Sequence, residues 1–263
     1  MKANYHTHHY LCGHAMGNTE DYVKEAIKIG LKELGMSDHA PNVKVHDYGV
    51  RMNPSELPIY LKEIENAQKK YKGQIKILKG LEVEYFYDHE DYYDFLKENV
   101  DYLIHGQHYI SMSNNMDSLI SCFSLTTINQ INKYASYMED AMKSGHFNIF
   151  AHPDLYLNSY ATFDKYAEDV ARRICKMAKK HNIILEYNAN GYRRGGKNTE
   201  NGFMPNYPRR EFWEIVKECG CRTILGSDAH QPELLYNDTV KEAEEDYLKM
   251  GLNTVEFLDL KNQ

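Results

Sequence analysis

The chain has 263 residues, enough for one large domain with a complete core, and barrels of alternating strands and helices commonly have this size. It carries 31 Lys and Arg against 38 Asp and Glu, and the formal charge of −7 argues against a nucleic acid as the main partner. No apolar run reaches the roughly 20 residues that cross a bilayer, and the N-terminus lacks a basic segment followed by an apolar one. We therefore expect a single-domain cytoplasmic protein that does not bind membranes.

An alternation of strands and helices runs through the whole sequence. The expected strands are 2–8, 31–37, 74–85, 100–106, 148–151, 183–188 and 222–225, and 254–258 closes the chain. The expected helices are 18–29, 53–71, 90–98, 125–144, 164–181, 208–219 and 239–250. The Gly-rich segment 190–205 shows no apolar periodicity, so we expect a mobile loop over a site. This alternation favours a parallel sheet or barrel.

The N-terminal stretch is rich in histidine. In an extended backbone side chains alternate faces, so His6 and His8 point the same way and are close enough to hold one metal ion. His14 follows in a Gly-containing loop that can fold back over them. A solvated tail or the trace of an expression tag is the alternative, but a tag carries an unbroken run of histidines.

Side chains that bind metals recur at or near the predicted carboxyl ends of the strands. They are His6, His8, His14, His39, Glu82, His108, His152, Asp228 and His230. In a parallel barrel these ends lie on one face, where active sites are built. Nine ligands, two of them carboxylates, exceed the needs of one metal and suit two or three ions that share a bridging carboxylate. Glu82 lies inside an apolar strand, where an unpaired carboxylate is costly and needs a cation.

The remaining histidines have a simpler interpretation. A single histidine is more often hydrogen-bonded or at the surface than bound to a metal, and we assign that role to His9, His46, His89, His105, His146 and His181. Cys219 and Cys221 are a possible metal pair, but no second cysteine pair completes a tetrahedral site, so two free thiols are the preferred interpretation.

With these residues the sequence resembles the polymerase and histidinol phosphatase superfamily, called PHP, and within it the histidinol-phosphate phosphatase branch. The resemblance spans nearly the whole chain. The motifs that carry it are His6-Thr7-His8 with Cys12-Gly13-His14, Met36 to Pro41, Gly80-Leu81-Glu82, Asp101 to His108, His152, and Gly226 to His230.

The resemblance implies an α/β fold, a distorted (β/α)7 TIM-like barrel formed by one domain over residues 1–263. It also implies a trinuclear site with manganese, iron or zinc as the divalent ions. His6, His8, Glu82 and Asp228 would hold one ion, Glu82, His108 and His152 a second, and His14, His39 and His230 a third. The chain departs from the family pattern at Asn4, at Gln107, and after His152, where no basic residue follows.

The activity that the resemblance implies is hydrolysis of L-histidinol phosphate, a step of histidine biosynthesis, by a hydroxide that bridges two ions. The residues assigned to catalysis are Glu82, Asp228 and His230, the last two as candidates for protonating the leaving oxygen. Arg193, Arg194 and, more weakly, Arg51 are the predicted phosphate contacts, because guanidinium matches phosphate geometry.

Two other functions remain open at this point. The first is hydrolysis of another small phosphate ester, such as a nucleotide, a sugar phosphate or phosphotyrosine. The second is a non-catalytic metal-binding regulatory module, which would be expected to lack ligands. The sequence makes no prediction of oligomeric state.

Overall fold

One curled parallel sheet organises the molecule. The structure, a computed structural model, describes residues 1–42, 49–113, 118–200 and 202–260. In chain order its strands are β1 (Ala3–Asn4), β2 (Glu33–Met36), β3 (Lys76–Val83), β4 (Tyr102–His105), β5 (Tyr109–Ser111), β6 (Leu119–Ser121), β7 (Ile149–Phe150), β8 (Ile184–Asn188), β9 (Gly196–Thr199), β10 (Gly202–Pro205), β11 (Arg222–Gly226) and β12 (Asn253–Thr254). The main sheet has the order β1-β2-β3-β4-β7-β8-β11-β12, and its neighbours are all parallel.

Helices connect the strands and cover the outside of the sheet. They are α1 (Thr19–Lys28), α2 (Leu57–Lys70), α3 (Glu90–Asn99), α4 (Ile128–Ser144), α5 (Lys165–Lys180), α6 (Arg210–Cys219) and α7 (Asp238–Met250). The first begins with a capping box, in which the Asn18 and Asp21 side chains each bond the other's backbone N–H. Each helix buries one apolar face against the sheet or a neighbouring helix. Within the described residues, none of the helices has the length and apolarity that crossing a bilayer requires.

The first and last barrel strands, β1 and β11, come together only beyond their carboxyl ends. Beyond β1 and β11, Thr7 and Ala229 form a parallel bridge, with the His8 N–H donating to the Ala229 carbonyl at 2.8 Å. At the other end β12 pairs with the start of β11, and Leu258 occupies the remaining gap with its N–H 3.1 Å from the Tyr5 hydroxyl. The result is a seven-stranded barrel with an eighth strand added beside it, which confirms the expected distorted TIM-like barrel.

The seven barrel strands and seven helices expected from the sequence are all present. Six of the strands are shorter than expected, and β11 is one residue longer. Residues 190–205 differ from the prediction. They form a short 3-10 helix, Ala189–Arg193, followed by the antiparallel hairpin β9–β10. Because β9 is exposed on both faces, its sequence has no buried face to produce the apolar alternation that marks a strand. The hairpin β5–β6 was not predicted either.

Along the strands, an apolar barrel interior gives way to a polar opening at the carboxyl ends, which we call the mouth. On β3, Leu78 faces the barrel interior and Glu82 lies on the same row four residues later. On β8, Ile184 and Glu186 repeat this order. On these two strands the inward row changes from apolar to ionisable toward the carboxyl end, which places Glu82 and Glu186 at the same end of the barrel.

Candidate metal centre

Four of the predicted ligands converge on one point inside the mouth. The Nε2 atoms of His6 and His8 are 3.1 Å apart, and Asp228 Oδ1 lies 3.0 Å from His8 Nε2. Glu82 Oε2 lies 3.5 Å and 3.6 Å from these two nitrogens. All four side chains are almost completely buried. The structure therefore brings together the set expected to hold the first ion.

The chemistry of these atoms fits a cation. His6 Nδ1 lies 2.8 Å from Glu186 Oε1, so its N–H is directed there and Nε2 presents a lone pair to the centre. Glu82 Oε2 and Asp228 Oδ1 are buried and accept no hydrogen bond from any described residue. Lone pairs and carboxylate oxygens at these distances repel one another unless a positive charge lies between them. Imidazole and carboxylate are ligands that suit zinc, manganese and iron.

Glu82 also faces a second group through its other oxygen. Its Oε1 lies 3.2 Å from His152 Nε2 and 3.6 Å from His108 Nε2, and the two imidazole rings are 4.9 Å apart between centroids. One carboxylate thus presents a different oxygen to each of two histidine groups. This is the geometry expected of a carboxylate that bridges two ions.

The third predicted group is only partly assembled. His14 and His230 approach through their Nε2 atoms at 3.0 Å, and each directs Nδ1 to a backbone carbonyl. His39, the third expected member, instead has Nδ1 2.9 Å from Glu82 Oε2, and its ring centroid lies 5.3 Å from that of His14. His39 thus stands between the groups, and a histidine trio is also formed by His8, His39 and His230.

Burial lowers the pKa of these imidazoles, and neighbouring charges oppose that effect at one ligand and add to it at another. Burial lowers the pKa of His8, but the carboxylates of Asp228, Asp38 and Glu82 raise it more, to about 9. Burial lowers the pKa of His230 to about 3, with the charge of His8 acting in the same direction. Without another cation, protonated imidazole is what balances the buried carboxylates. A divalent ion would supply that charge and release the protons.

Backbone and packing details make room for the two inward carboxylates. A Cβ atom on Gly106 would lie 2.0 Å from Glu82 Oε1, and one on Gly226 would lie 1.8 Å from Glu186 Oε1. His152 and Asp228 adopt positive φ values of 32° and 46°, which residues other than glycine rarely do. Strain of this kind persists where the surrounding structure enforces it, and here it occurs at two predicted ligands.

Sequence reasoning missed the groups that orient the ligands. Glu186, Glu84 and Asp38 lie 2.8, 2.9 and 3.4 Å from the Nδ1 atoms of His6, His108 and His8 respectively. These contacts turn the three Nε2 atoms toward the centre. Glu186 had a usable signal, because it is a carboxylate inside the apolar strand 183–188, as Glu82 is in its own strand. The argument that identified Glu82, a carboxylate inside an apolar strand, identifies Glu186 as well.

Asp228 is oriented by two amides that the sequence analysis did not consider. Its Oδ2 accepts hydrogen bonds from Asn190 Nδ2 at 3.1 Å and Asn188 Nδ2 at 3.3 Å. Only Oδ1 is then directed at the histidine pair. The backbone after β8 therefore contributes to the site through these amides.

A cavity of about 190 Å³ opens above these groups. Besides candidate ligands, its lining includes Phe123, Tyr207, Arg194 and Arg51. The Arg194 guanidinium lies 5.6 Å from the Phe123 ring centroid. Arg193, the other predicted phosphate contact of the same segment, does not line the cavity.

The Arg193 side chain has structural partners instead. Its Nη2 donates to Asn237 Oδ1 at 3.0 Å and to the Leu234 carbonyl at 3.4 Å, and Nη1 lies 3.4 Å from Asn190 Oδ1. It thereby ties the 3-10 helix Ala189–Arg193 to the start of α7. The structure thus places Arg194, and not Arg193, where a substrate could reach it.

The histidines assigned to other roles lie outside the cavity lining. His105 is on the outward row of β4, packed against Phe147 and Phe150, because it alternates with the inward Ile104. His9 is buried with Nδ1 3.1 Å from Asp38 Oδ2. His89, His146 and His181 lie elsewhere, and His46 falls outside the described residues.

All five cysteines are free thiols, as expected, and Cys219 and Cys221 belong to no metal-ligand group among the described residues.

Comparison with known proteins identifies relatives of this chain. The chain is 28% identical to the "Probable histidinol-phosphatase" of Deinococcus radiodurans, with 98% of this chain and 97% of that protein covered. It is 26% identical to the protein of the same name from Schizosaccharomyces pombe, with 88% and 81% covered. Its fold is similar to that of histidinol phosphate phosphatase from Lactococcus lactis, a structure complexed with zinc, L-histidinol and phosphate, with a TM-score of 0.74, 20% identity and coverage of 97% and 95%. The PHP domain family model matches residues 4–190. The chain belongs to the PHP domain family.

Proposed function

We propose that this protein is a metal-dependent phosphomonoesterase that hydrolyses L-histidinol phosphate to L-histidinol and phosphate. The observation that carries the proposal is the Glu82 carboxylate, whose two oxygens face separate histidine groups beneath a cavity bordered by arginine. Full-length relatives named for the same activity support the choice of substrate.

The nine predicted ligands define the proposed centre. His6, His8, Glu82 and Asp228 would hold one divalent ion, and Glu82, His108 and His152 would hold another. His14 and His230, with His39, would provide a third position. Bound zinc, manganese or iron ions would supply a hydroxide nucleophile near neutral pH and neutralise phosphoryl oxygens.

The side chains of the mouth bind and orient the substrate. Arg194 is the phosphate contact that we favour, since its guanidinium borders the cavity above the histidine groups. Phe123 and Tyr207 provide aromatic surface for the imidazole end of the substrate. Burial lowers the pKa of His230 to about 3, so the ring is neutral near pH 7 and carries no acidic proton for the leaving oxygen. Asp228 accepts an amide hydrogen bond through Oδ2 and faces His8 through Oδ1. These contacts favour ligand roles for the two residues over protonation of the leaving oxygen.

The test is phosphate release from L-histidinol phosphate by protein reconstituted with manganese, iron or zinc, alongside nucleotides, sugar phosphates and phosphotyrosine. We expect the highest kcat/KM for L-histidinol phosphate. Metal analysis of the same samples should give two to three equivalents per chain. Absence of release from every ester by metal-loaded protein would refute the proposal.

The same assay separates the alternatives. Preference for another ester would keep the enzyme class and change the substrate. Bound metal without any turnover would favour a regulatory module. That module is disfavoured because all nine predicted ligand positions carry ligand side chains.

A further inference from the structure

Glu84 lies next to the second histidine group and makes four contacts there. Its Oε1 lies 2.9 Å from His108 Nδ1, and its Oε2 accepts the backbone N–H groups of His108 at 3.1 Å and Tyr109 at 3.2 Å. The fourth contact is Arg51 Nη2, 3.2 Å from Oε1. The Glu84 side chain is 1% exposed, so these contacts replace its hydration.

These contacts fix both the position and the direction of the His108 ring. The two backbone hydrogen bonds hold the last residue between β4 and β5 and the first residue of β5, and the contact with Nδ1 sets the rotation of the imidazole. With its N–H directed to Glu84, the ring presents Nε2 toward Glu82 Oε1, 3.6 Å away. The position of the nitrogen that faces Glu82 therefore depends on Glu84.

Arg51 borders the cavity, but its charge is turned toward Glu84. A buried carboxylate that touches a ligand needs a counter-charge of its own, and the Arg51 side chain, 7% exposed, provides it. The guanidinium is thus held at the wall of the cavity by a protein group. This differs from Arg194, which lies over an aromatic ring.

We propose that Glu84 is a positioning residue for His108 and that Arg51 serves to hold Glu84 and is not a contact of the substrate phosphate. This inference rests on the proposed metal centre. It adds a chain of contacts, Arg51 to Glu84 to His108, that connects the cavity wall to the second metal position.

Metal affinity is the measurement that tests the Glu84 role. Glu84→Gln keeps the size of the side chain and can still accept backbone N–H groups, but it removes the charge. We expect the affinity for one zinc equivalent, measured by competition with a chromophoric chelator, to fall about 10- to 100-fold. The kcat for phosphate release should fall with it, while KM stays within about twofold.

Glu33→Gln is the matched control. Glu33 also bonds a ring, through the Tyr5 hydroxyl at 2.7 Å, and a cation, Lys76 Nζ at 2.9 Å, but it lies at the opposite end of the barrel. Its replacement should leave zinc affinity and kcat unchanged. Glu84→Gln protein that binds every zinc equivalent with wild-type affinity would overturn the inference.

Arg51→Gln tests the proposed role of Arg51. It also replaces Glu84→Gln as the test if that variant does not fold. We expect zinc affinity to fall in the same direction, by less than for Glu84→Gln, with KM little changed. A higher KM with unchanged zinc affinity would return Arg51 to phosphate binding and overturn its assignment. Wild-type protein that bound no metal and released no phosphate would instead refute the proposed function, so the two failures are distinguishable.

Discussion

The two ends of the barrel are built from the same strands but have opposite chemistry. At the amino end the interior is apolar, with Leu78, Ile184 and Leu258 in one buried cluster. The buried Tyr5 hydroxyl has two partners there: it donates to Glu33 and accepts the Leu258 N–H. At the carboxyl end two carboxylates and several imidazoles face one another, and Glu82 Oε2 and Asp228 Oδ1 accept no hydrogen bond from a described residue.

The difference shows which end stabilises the fold and which end binds. Burying apolar side chains contributes roughly 1.5–3 kcal/mol each, so the amino end favours the folded state without a ligand. The mouth carries buried charge that becomes favourable only when a cation is present. Changes at the two ends should therefore separate stability from activity.

The largest effect is expected from Glu82→Gln, which removes the carboxylate shared by two histidine groups. Losing several kcal/mol of charge stabilisation corresponds to a fall of about 10³-fold in kcat. Activity within tenfold of wild type would contradict the shared role of Glu82.

Removing the metal should lower the free energy of unfolding, and the effect should come only from the ligands at the carboxyl end of the barrel. An ion that binds only the folded protein adds about 4 kcal/mol at a thousandfold excess over its Kd. Denaturant unfolding with zinc and with a chelator should show this difference, and Glu82→Gln should show much less of it. Identical transitions with and without zinc would mean that the mouth does not bind it.

Leu258→Ala tests the amino end. Truncating this buried side chain should lower the free energy of unfolding by about 3 kcal/mol, within the range for buried leucines, and leave phosphate release per folded molecule unchanged. Leu248, which is 64% exposed, gives the control: Leu248→Ala should change stability by less than about 0.5 kcal/mol. A loss of specific activity in Leu258→Ala would show that the two ends are coupled.

The smallest effect compares two adjacent arginines at the mouth. Loss of one charge-assisted contact costs about 2 kcal/mol, so Arg194→Met should raise KM for L-histidinol phosphate about 30-fold. Arg193→Met should leave KM within about twofold and lower the melting temperature, because Arg193 holds the start of α7. Steady-state kinetics of both variants decides between them, and the reverse pattern would make Arg193 the phosphate contact.

Periodicity predicted much of the fold and the location of the site. The strand and helix alternation favoured a parallel sheet or barrel, and the family resemblance implied the barrel. Ligand-type residues near the strand ends indicated one common site. Alternation also explains why His105 differs from its neighbours, since Ile104 faces inward and His105 outward. The hairpin β9–β10 escaped prediction because exposed strands leave no apolar pattern.

Contacts between distant segments could not be predicted in this way. Glu186 contacts His6 across 180 residues in sequence, and His39 directs Nδ1 to Glu82 from a position between the histidine groups. Arg193 and Arg194 are adjacent and chemically identical, yet only Arg194 reaches the cavity. Sequence spacing does not specify such choices, because they depend on side-chain direction and on what other elements leave open.

The sequence by itself determined the alternation of strands and helices, the family motifs that imply a barrel, and the set of side chains capable of binding metal, because strand period and residue chemistry are local properties. The tertiary structure decided how Glu82 divides its two oxygens, which carboxylates orient which histidines, and which arginine faces the cavity. Those features arise where parallel strands from different parts of the chain end side by side, so no local pattern encodes them.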